Sequence, residues 1–575
     1  MLKKKINIGI LDKIQKTMDG FNFYEKTILY ALLAALSAST LITLVKISNR
    51  VSLEIPRSGG EITEGVIGSP RFINPLLAIS DVDRDLTSLV YSGLMKATPE
   101  GELIGDLAEK YEVSENRLRY VFYIKEKAVF HDGVPVTSDD VVYTVGLAKN
   151  DLLKSPRRAT WEGIGVEKID ERTVAFVLSE PYSPFLDNLT MGIMPIHLWG
   201  EFSPEEITFS NLNSKPIGSG PYKVAGLKKG SDGISESYTL STFEDYALSK
   251  PFLSKISFKF YKNEEELAKA FLKKEVDGIH AISPGKAKEL EEKGKNIITS
   301  PLPRIFGVFF NQNQATLFTN KEVRRALDRA ISREEIITEV LQNFGRKAEG
   351  PLPEGYLIRR RPEAEGKILG RIDEAMLILE RAGWKRGEDG VMVKEGTKEN
   401  FRLSFSISTS NAPELKILAG LLKMEWEKIG AEVELKFFET GTLNQEVIRP
   451  RKYESLLFGE IVGRDFDLYA FWHSSQRNDP GLNISLYTNI EADRLLEKIR
   501  TAESRREKED NYLLFEEEIR KDIPAVFIYS PDFIYATNKK IKGLRIGVVT
   551  TPAERFLNVH EWHLLTDKVW PFFIN

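Results

Sequence analysis

Hydrophobic and polar positions divide this chain near residue 46. Residues 27–45, from Thr27 to Val45 (TILYALLAALSASTLITLV), carry no charge, and no later run is comparable. A helix needs about 20 apolar residues to cross a bilayer, so the pattern predicts one span at most. Beyond it the periods are those of a folded domain. Glu61–Ile67 alternates like a strand and meets a turn signal at Gly68-Ser69-Pro70. Arg119–Ile124 (RYVFYI) and Thr173–Leu178 (TVAFVL) are aromatic and β-branched, as strands are. Residues 83–95 read as a helix, and so do 137–149, where Thr137 precedes Asp140 by three positions as in a capping box. Val323, Leu327, Ile331 and Ile337 give residues 321–343 one apolar helical face, which Pro351 and Pro353 stop. Residues 414–430 read as an amphipathic helix before the strand Glu432–Phe438, and 493–519 as a long charged helix. Strands mixed with helices predict an α/β or α+β fold. Residues 46–58 read as a polar linker, after which Gly59-Gly60 opens the folded region.

The flanks of the apolar run give its direction. Lys3, Lys4, Lys5, Lys13, Lys16 and Lys26 precede it, against Lys46, Arg50 and Arg57 after it. Lys and Arg are retained in the cytoplasm, so residues 1–26 are expected inside and the large domain outside the cell membrane. The rival is a cleaved signal peptide, which has a short apolar core and small residues at its cleavage site. Here the small residues Ala34, Ala35, Ser37 and Ala38 lie in mid-run and the lead is long. A retained anchor is therefore the reading.

Composition narrows the chemistry. The chain has 575 residues and no cysteine, which removes disulfides, thiolate metal sites, a cysteine nucleophile and a lipidated cysteine anchor. Net charge is −4 with both signs interspersed, so nothing favours nucleic acid as a partner. His560-Glu561-Trp562-His563 lacks the helical spacing of a zinc protease motif. His131-Asp132-Gly133 reads as a hairpin turn, and Asp139-Asp140 as acids at a helix N-terminus. Gly163-Ile164-Gly165 is no phosphate loop, and Gly218-Ser219-Gly220-Pro221 does not match a serine nucleophile elbow. No metal or cofactor is expected. Aromatics are plentiful, with 32 Phe, 19 Tyr and 7 Trp. Some stand beside polar groups, as in Phe471-Trp472-His473-Ser474-Ser475, a mixture that lines ligand clefts.

Several motifs in sequence order resemble one family. They are Gly59-Gly60, then Phe72-Ile73-Asn74-Pro75-Leu76, Val90-Tyr91-Ser92-Gly93-Leu94, and Asp106-Leu107-Ala108-Glu109 followed by RYVFYIKEKAVFHDGVPVTSDDVVYTV over residues 119–145. PIGSGPYKV (216–224), the segment ending NKEVRRALDRAISREEII (320–337), and FWHSSQ with NISLYTNIEADRLL (471–496) follow. Together they are similar to the extracellular solute-binding proteins, family 5, of peptide and nickel ABC importers. The resemblance implies a two-lobed α/β fold of the periplasmic-binding-protein type closing around a ligand, with a subdomain inserted in the first lobe. Mapped here, lobe I takes residues 59–80, 213–303 and 531–575, the insert 81–212 and lobe II 304–530. Apolar extended segments at 303–310 and 523–529 would be the two hinge crossings.

The same resemblance implies a non-enzymatic monomer that captures oligopeptides and docks on permease subunits. Rival readings are another solute (a metal chelate, a glycan or an opine), or an extracellular hydrolase or adhesin on this fold. One departure bears on specificity. Peptide-binding relatives hold the ligand's amino terminus with an aspartate shortly before an Asp-Pro-Asp. In FGEIVGRDFDLY (458–469) that aspartate's place falls on Val462, leaving Glu460 or Arg464 as substitutes. Ligand contacts are accordingly expected from Asn74, Tyr91, Glu460, Arg464, Trp472 and His473.

Overall fold

The computed structural model describes residues 8–573 apart from 183, 232, 354–369, 397–399, 464–466, 503 and 548. The described residues divide into two units, Gly59–Trp562 and a second formed by Met1–Ser58 with His563–Asn575.

The smaller unit contains helices Ile8–Asp19 and Phe23–Val51. The second begins with a capping box in which Asn22 accepts from the Glu25 amide and Glu25 accepts from that of Asn22, a reciprocal pairing that satisfies two orphan donors. An 18-residue window within its stretch Phe23–Ser48 has a mean hydropathy of 2.2, and none of that window is buried. Residues 46–58 are not the polar linker that their composition indicates. The helix continues to Val51, and Leu53–Arg57 forms a strand antiparallel to Leu565–Val569, with Leu53 opposite Val569. The partner strand lies some 500 residues away in sequence, where no local pattern announces it.

The larger unit is built on a twelve-stranded mixed sheet. Ala525–Thr537, thirteen residues and nearly all buried, is its spine. Burial on both faces hides any alternation. Its first part pairs with Arg304–Phe310 and its later part with Asn296–Pro301 and Gly278–His280. From Arg304–Phe310 the sheet continues through Ser455–Ile461, Ser404–Ser410 and Glu432–Phe438. From Gly278–His280 it continues through Glu61–Ile67, Lys255–Tyr261, Ser235–Thr242 and Tyr222–Lys229. Separate cores cover the two halves. One gathers Val308, Leu327, Leu418 and Trp426, another Phe309, Trp472 and Tyr512, and a third Leu267, Phe271 and Ile279. An antiparallel four-stranded sheet stands apart, in the order Ala108–Val113, Arg119–Ile124, Thr173–Leu178, Ile164–Lys168.

Two long helices expected from periodicity are each broken in two. Residues 321–343 form Lys321–Ala330 and Arg333–Leu341, and 493–519 fall within Ile490–Thr501 and Arg505–Asp522. At each break a serine, Ser332 or Ser504, caps the new helix by accepting from an amide three residues on, the N-cap role for which serine is preferred. The helix expected over 83–95 is Asp81–Val90. It stops at Tyr91, whose backbone is extended, and just beyond it Gly93 packs on backbone: a Cβ there would meet the Leu189 carbonyl oxygen at 2.5 Å.

Candidate functional site

Helix Asp81–Val90 is fixed at both ends and in the middle. Ser80 caps its start. Asp83 accepts from the amides of Arg71 and Phe72, tying down the segment that contains Asn74. Gly218 and Gly220 press on its last turn, where a Cβ would lie 2.1 Å and 2.6 Å from the carbonyl oxygens of Val90 and Leu89. Only glycine permits that approach, which gives the PIGSGPYKV motif its physical reason. His131 locks the same junction. Its Nδ1 accepts from the Gly218 amide at 3.3 Å, so Nε2 must be the protonated nitrogen that donates to the Gly220 carbonyl at 3.0 Å. Burial holds the imidazole down at about 4.

Beneath this helix lies a buried ion cluster. Arg555 forks onto Asp85 at 2.7 and 2.8 Å and reaches Glu64 at 3.1 Å, while His280 contacts Asp85 at 3.0 Å and Tyr535 donates to Glu64 at 2.6 Å. Arg555, Glu64 and Asp85 are all fully buried. Burial alone would raise the Asp85 carboxyl, but Arg555 and His280 hold it down at about 2.

Above the helix is a cavity of about 580 Å³, within the range of small-ligand sites. Arg84, Thr87 and Ser88 line it together with Tyr91 just past the helix end. Their spacing of three, four and seven is one helical stripe. Arg157, Trp161 and Tyr182 line it too, as do Glu554 and Phe556, and Gly463 and Asp467 from the loop after strand Ser455–Ile461. Its acids are partnered. Asp467 takes a two-pronged bond from Arg500, whose guanidinium lies 3.9 Å over the Tyr469 ring. Glu554 accepts from the amide and hydroxyl of Thr550. Lys96 donates to the Tyr246 hydroxyl at 2.8 Å and Tyr246 to Asp106 at 3.4 Å. Burial raises the Asp106 carboxyl and lowers the Lys96 ammonium, each partly offset by the other's charge.

The cavity's cations are different. Arg84 and Arg157 make no side-chain hydrogen bond or ion pair among the described residues, although both line the wall. Burial and the like charge of Arg84 lower the Arg157 guanidinium, with Glu554 opposing. The hydroxyls of Thr87 and Tyr91 are buried with no hydrogen-bond partner, and burial drives the Tyr91 phenol upward. Buried polar atoms are rarely left unpaired, which makes these two hydroxyls candidates for ligand contact.

Of the described residues singled out from sequence, Tyr91 lines this cavity, whereas Asn74, Glu460, Trp472 and His473 do not. Asn74 is fully buried and shapes a turn, accepting from the Leu76 amide and donating to Asn213. Glu460 pairs in register with Ile305 and is buried with neither carboxylate oxygen hydrogen-bonded. Burial raises its carboxyl well above the usual range, with the nearby Trp472 indole offsetting this in part. Trp472 is buried among the rings of Phe309, Tyr487 and Phe527. His473 stacks on Tyr469 at 4.0 Å and its Nδ1 meets Ser475. Arg464 lies outside the described residues. Arg84, Thr87, Arg157 and Asp467 were not picked out from sequence, although the helical spacing of Arg84 and Thr87 with Tyr91 was a usable signal. Among the described residues no group of three or more His, Cys, Asp or Glu is placed to hold a metal ion.

Residues 102–488 match the family model described as bacterial extracellular solute-binding proteins, family 5 Middle. This chain belongs to that family. The oligopeptide-binding protein AppA of Bacillus subtilis is 28% identical over 520 residues, 88% of this chain and 92% of that protein. The probable D,D-dipeptide-binding periplasmic protein DdpA of Escherichia coli is 24% identical over 88% of this chain and 95% of its own. Among solved structures, Bacillus subtilis AppA in complex with a nonapeptide superposes with a TM-score of 0.66 at 26% identity, covering 89% of this chain and all of that one. NikZ from Campylobacter jejuni in complex with Ni(L-His) does so at 0.67 and 26%, covering 88% and 99%. The fold is the mixed α/β, two-lobed periplasmic-binding-protein fold that the motifs implied.

Proposed function

We propose that this protein is a membrane-tethered, extracytoplasmic receptor that captures short peptides in the cavity above helix Asp81–Val90 and delivers them to an ABC permease. Family membership and the peptide-binding relatives support the transport role. The apolar helix and its lysine-rich N-terminal flank support tethering. The strands Arg304–Phe310 and Ala525–Thr537 run side by side through the middle of the sheet, as expected of hinge crossings about which two lobes close. The protein catalyses no reaction in this reading.

The observation that carries the ligand assignment is the pair Arg84 and Arg157, residues on the cavity wall whose guanidiniums make no hydrogen bond or ion pair among the described residues. A guanidinium fork matches a carboxylate in geometry and charge. Glu460, by contrast, is buried with no counter-ion among the described residues and its carboxyl is driven toward the neutral form by burial, which suits it poorly to hold an ammonium. The ligand is therefore gripped by its carboxylate end rather than its amino end. Isothermal titration with peptides two to six residues long, each as free acid and as C-terminal amide, tests this. Free acids bind at least tenfold tighter than amides, and Arg84→Gln or Arg157→Gln removes the difference. Equal binding of acids and amides would overturn the carboxylate grip. No binding by any peptide, with binding of a glycan instead, would overturn the peptide assignment.

A further inference from the structure

The smaller unit folds the far end of the chain back to the membrane end of the apolar helix. Phe23–Ser48 spans 26 residues. At 1.5 Å per residue that is about 39 Å, against a hydrocarbon core of about 30 Å. If the apolar part is centred in the core, Ser48 lies a few ångströms beyond it, among the headgroups. The strand Leu53–Arg57 starts five residues later and pairs along its full length with Leu565–Val569. The next residue, Trp570, donates its indole N–H to the Ser48 hydroxyl at 3.1 Å. The C-terminal aromatics are thereby held at the depth of Ser48.

What they present there is apolar. Trp570 is 45% exposed, Phe572 88% and Leu53 53%, with Ile47 and Val51 exposed beside them. Exposure of this kind is unfavourable in water and favourable at a bilayer interface. Trp is enriched at that level because its ring has an apolar body and a polar tip. Arg57, at the far end of the two-stranded ribbon, pairs at 3.2 Å with Asp567 in its middle, and Glu54 stands opposite Lys568 one step in from the aromatic end, so the aromatics are at the end next to Ser48 and the charges follow along the ribbon away from it.

We propose that Trp570-Pro571-Phe572 inserts into the headgroup region of the outer leaflet as a second membrane contact, docking this end of the chain on a phospholipid surface beside the helix. This rests on the reading of Phe23–Ser48 as a retained span. The occupant is a bilayer rather than a protein partner because the patch is continuous with the lipid-facing surface of the helix and contains the residue type that bilayer interfaces favour.

The absence of native cysteine makes the test clean. Phe572→Cys, Leu36→Cys and Glu100→Cys are each spin-labelled in the full-length protein, reconstituted in phosphatidylcholine–phosphatidylglycerol vesicles. Relative accessibility to oxygen and to a water-soluble nickel chelate gives the depth of each label. The expected result is Leu36 deep in the core, Phe572 at the headgroup level, and Glu100 in water. Trp570→Ser added to the Phe572→Cys protein moves that label toward water. A Phe572 label as exposed to the nickel chelate as Glu100, with Leu36 still deep, overturns the second contact and leaves the anchor standing. A Leu36 label in water overturns both.

Discussion

Replacing Arg555 with Met removes the only guanidinium from a cluster in which Glu64 and Asp85 have no exposure to water. Met keeps much of the volume and none of the charge. The variant leaves two buried carboxylates with His280 as the single remaining basic group in contact, and it removes a bond to the Pro552 carbonyl. Breaking a buried ion pair from one side costs about 3–5 kcal/mol. A consistency check comes from Asp85, held at about 2 against an ordinary 3.8, which corresponds to about 2 kcal/mol of preference for its ionised form. The lost contact with Glu64 adds the remainder. The depressed carboxyl also fixes the sign of the pH effect. Its contribution is present above about pH 4 and is lost as pH falls toward 2. Urea unfolding of the detergent-solubilised protein at pH 7, followed by tryptophan fluorescence, should show Arg555→Met less stable by about 3–5 kcal/mol. Adding Glu64→Gln and Asp85→Asn should recover most of that loss, because no unpaired charge is then buried. A single variant within about 1 kcal/mol of wild type, or a triple variant no better than the single, would refute the reasoning. Since Asp85 belongs to the helix whose other face lines the cavity, the single variant should also weaken ligand binding.

Three further outcomes follow from named contacts. Gly220→Ala forces a Cβ to within 2.6 Å of the Leu89 carbonyl and should destabilise the larger unit by about 1–3 kcal/mol, measured by the same urea titration; an unchanged midpoint contradicts the packing. His131, held at about 4 in the fold against an ordinary 6.5, binds a proton more readily when unfolded. Stability should therefore fall as pH drops from about 6.5 to 4 by about 2 kcal/mol, allowing for its partial exposure, and His131→Asn should flatten that slope. Leu33→Arg with Leu36→Arg puts charges in mid-span at about 2.5–3.5 kcal/mol each; membrane fractionation should find the variant released or mislocalised, whereas a wild-type protein that is soluble and begins near residue 40 by mass spectrometry would favour the cleaved signal peptide.

Local pattern carried the local structure well. Caps, alternation and glycine-bearing turns placed most strands and helix starts, and Thr137 with Asp140 does form the capping box read from spacing. The failures have specific causes. Ser332 and Ser504 interrupt continuous helical periodicity because a capping side chain outweighs a weak preference to continue. Gly93, just past the end of helix Asp81–Val90, packs on a segment a hundred residues away, and Leu53–Arg57 finds its partner in Leu565–Val569. Both are long-range facts that no window contains. For the site, the family motifs marked chain reversals around helix Asp81–Val90 rather than the groups that face the cavity. Glu460 illustrates the limit. Its neighbours are apolar on both sides of a buried strand, so the in–out parity that would have placed its carboxyl is unreadable from sequence. Taken singly, Arg84 and Arg157 have no signal in the sequence, since a lone arginine on a helix or turn defaults to a surface position.

The most direct test of the central claim is the structure of the full-length protein crystallised with the tightest-binding free-acid peptide. The account predicts density for that peptide in the 580 Å³ cavity, with a carboxylate within hydrogen-bonding distance of Arg84 or Arg157 and acceptors opposite the hydroxyls of Thr87 and Tyr91. A peptide bound elsewhere, or one whose amino terminus rather than its carboxylate meets this wall, would contradict it.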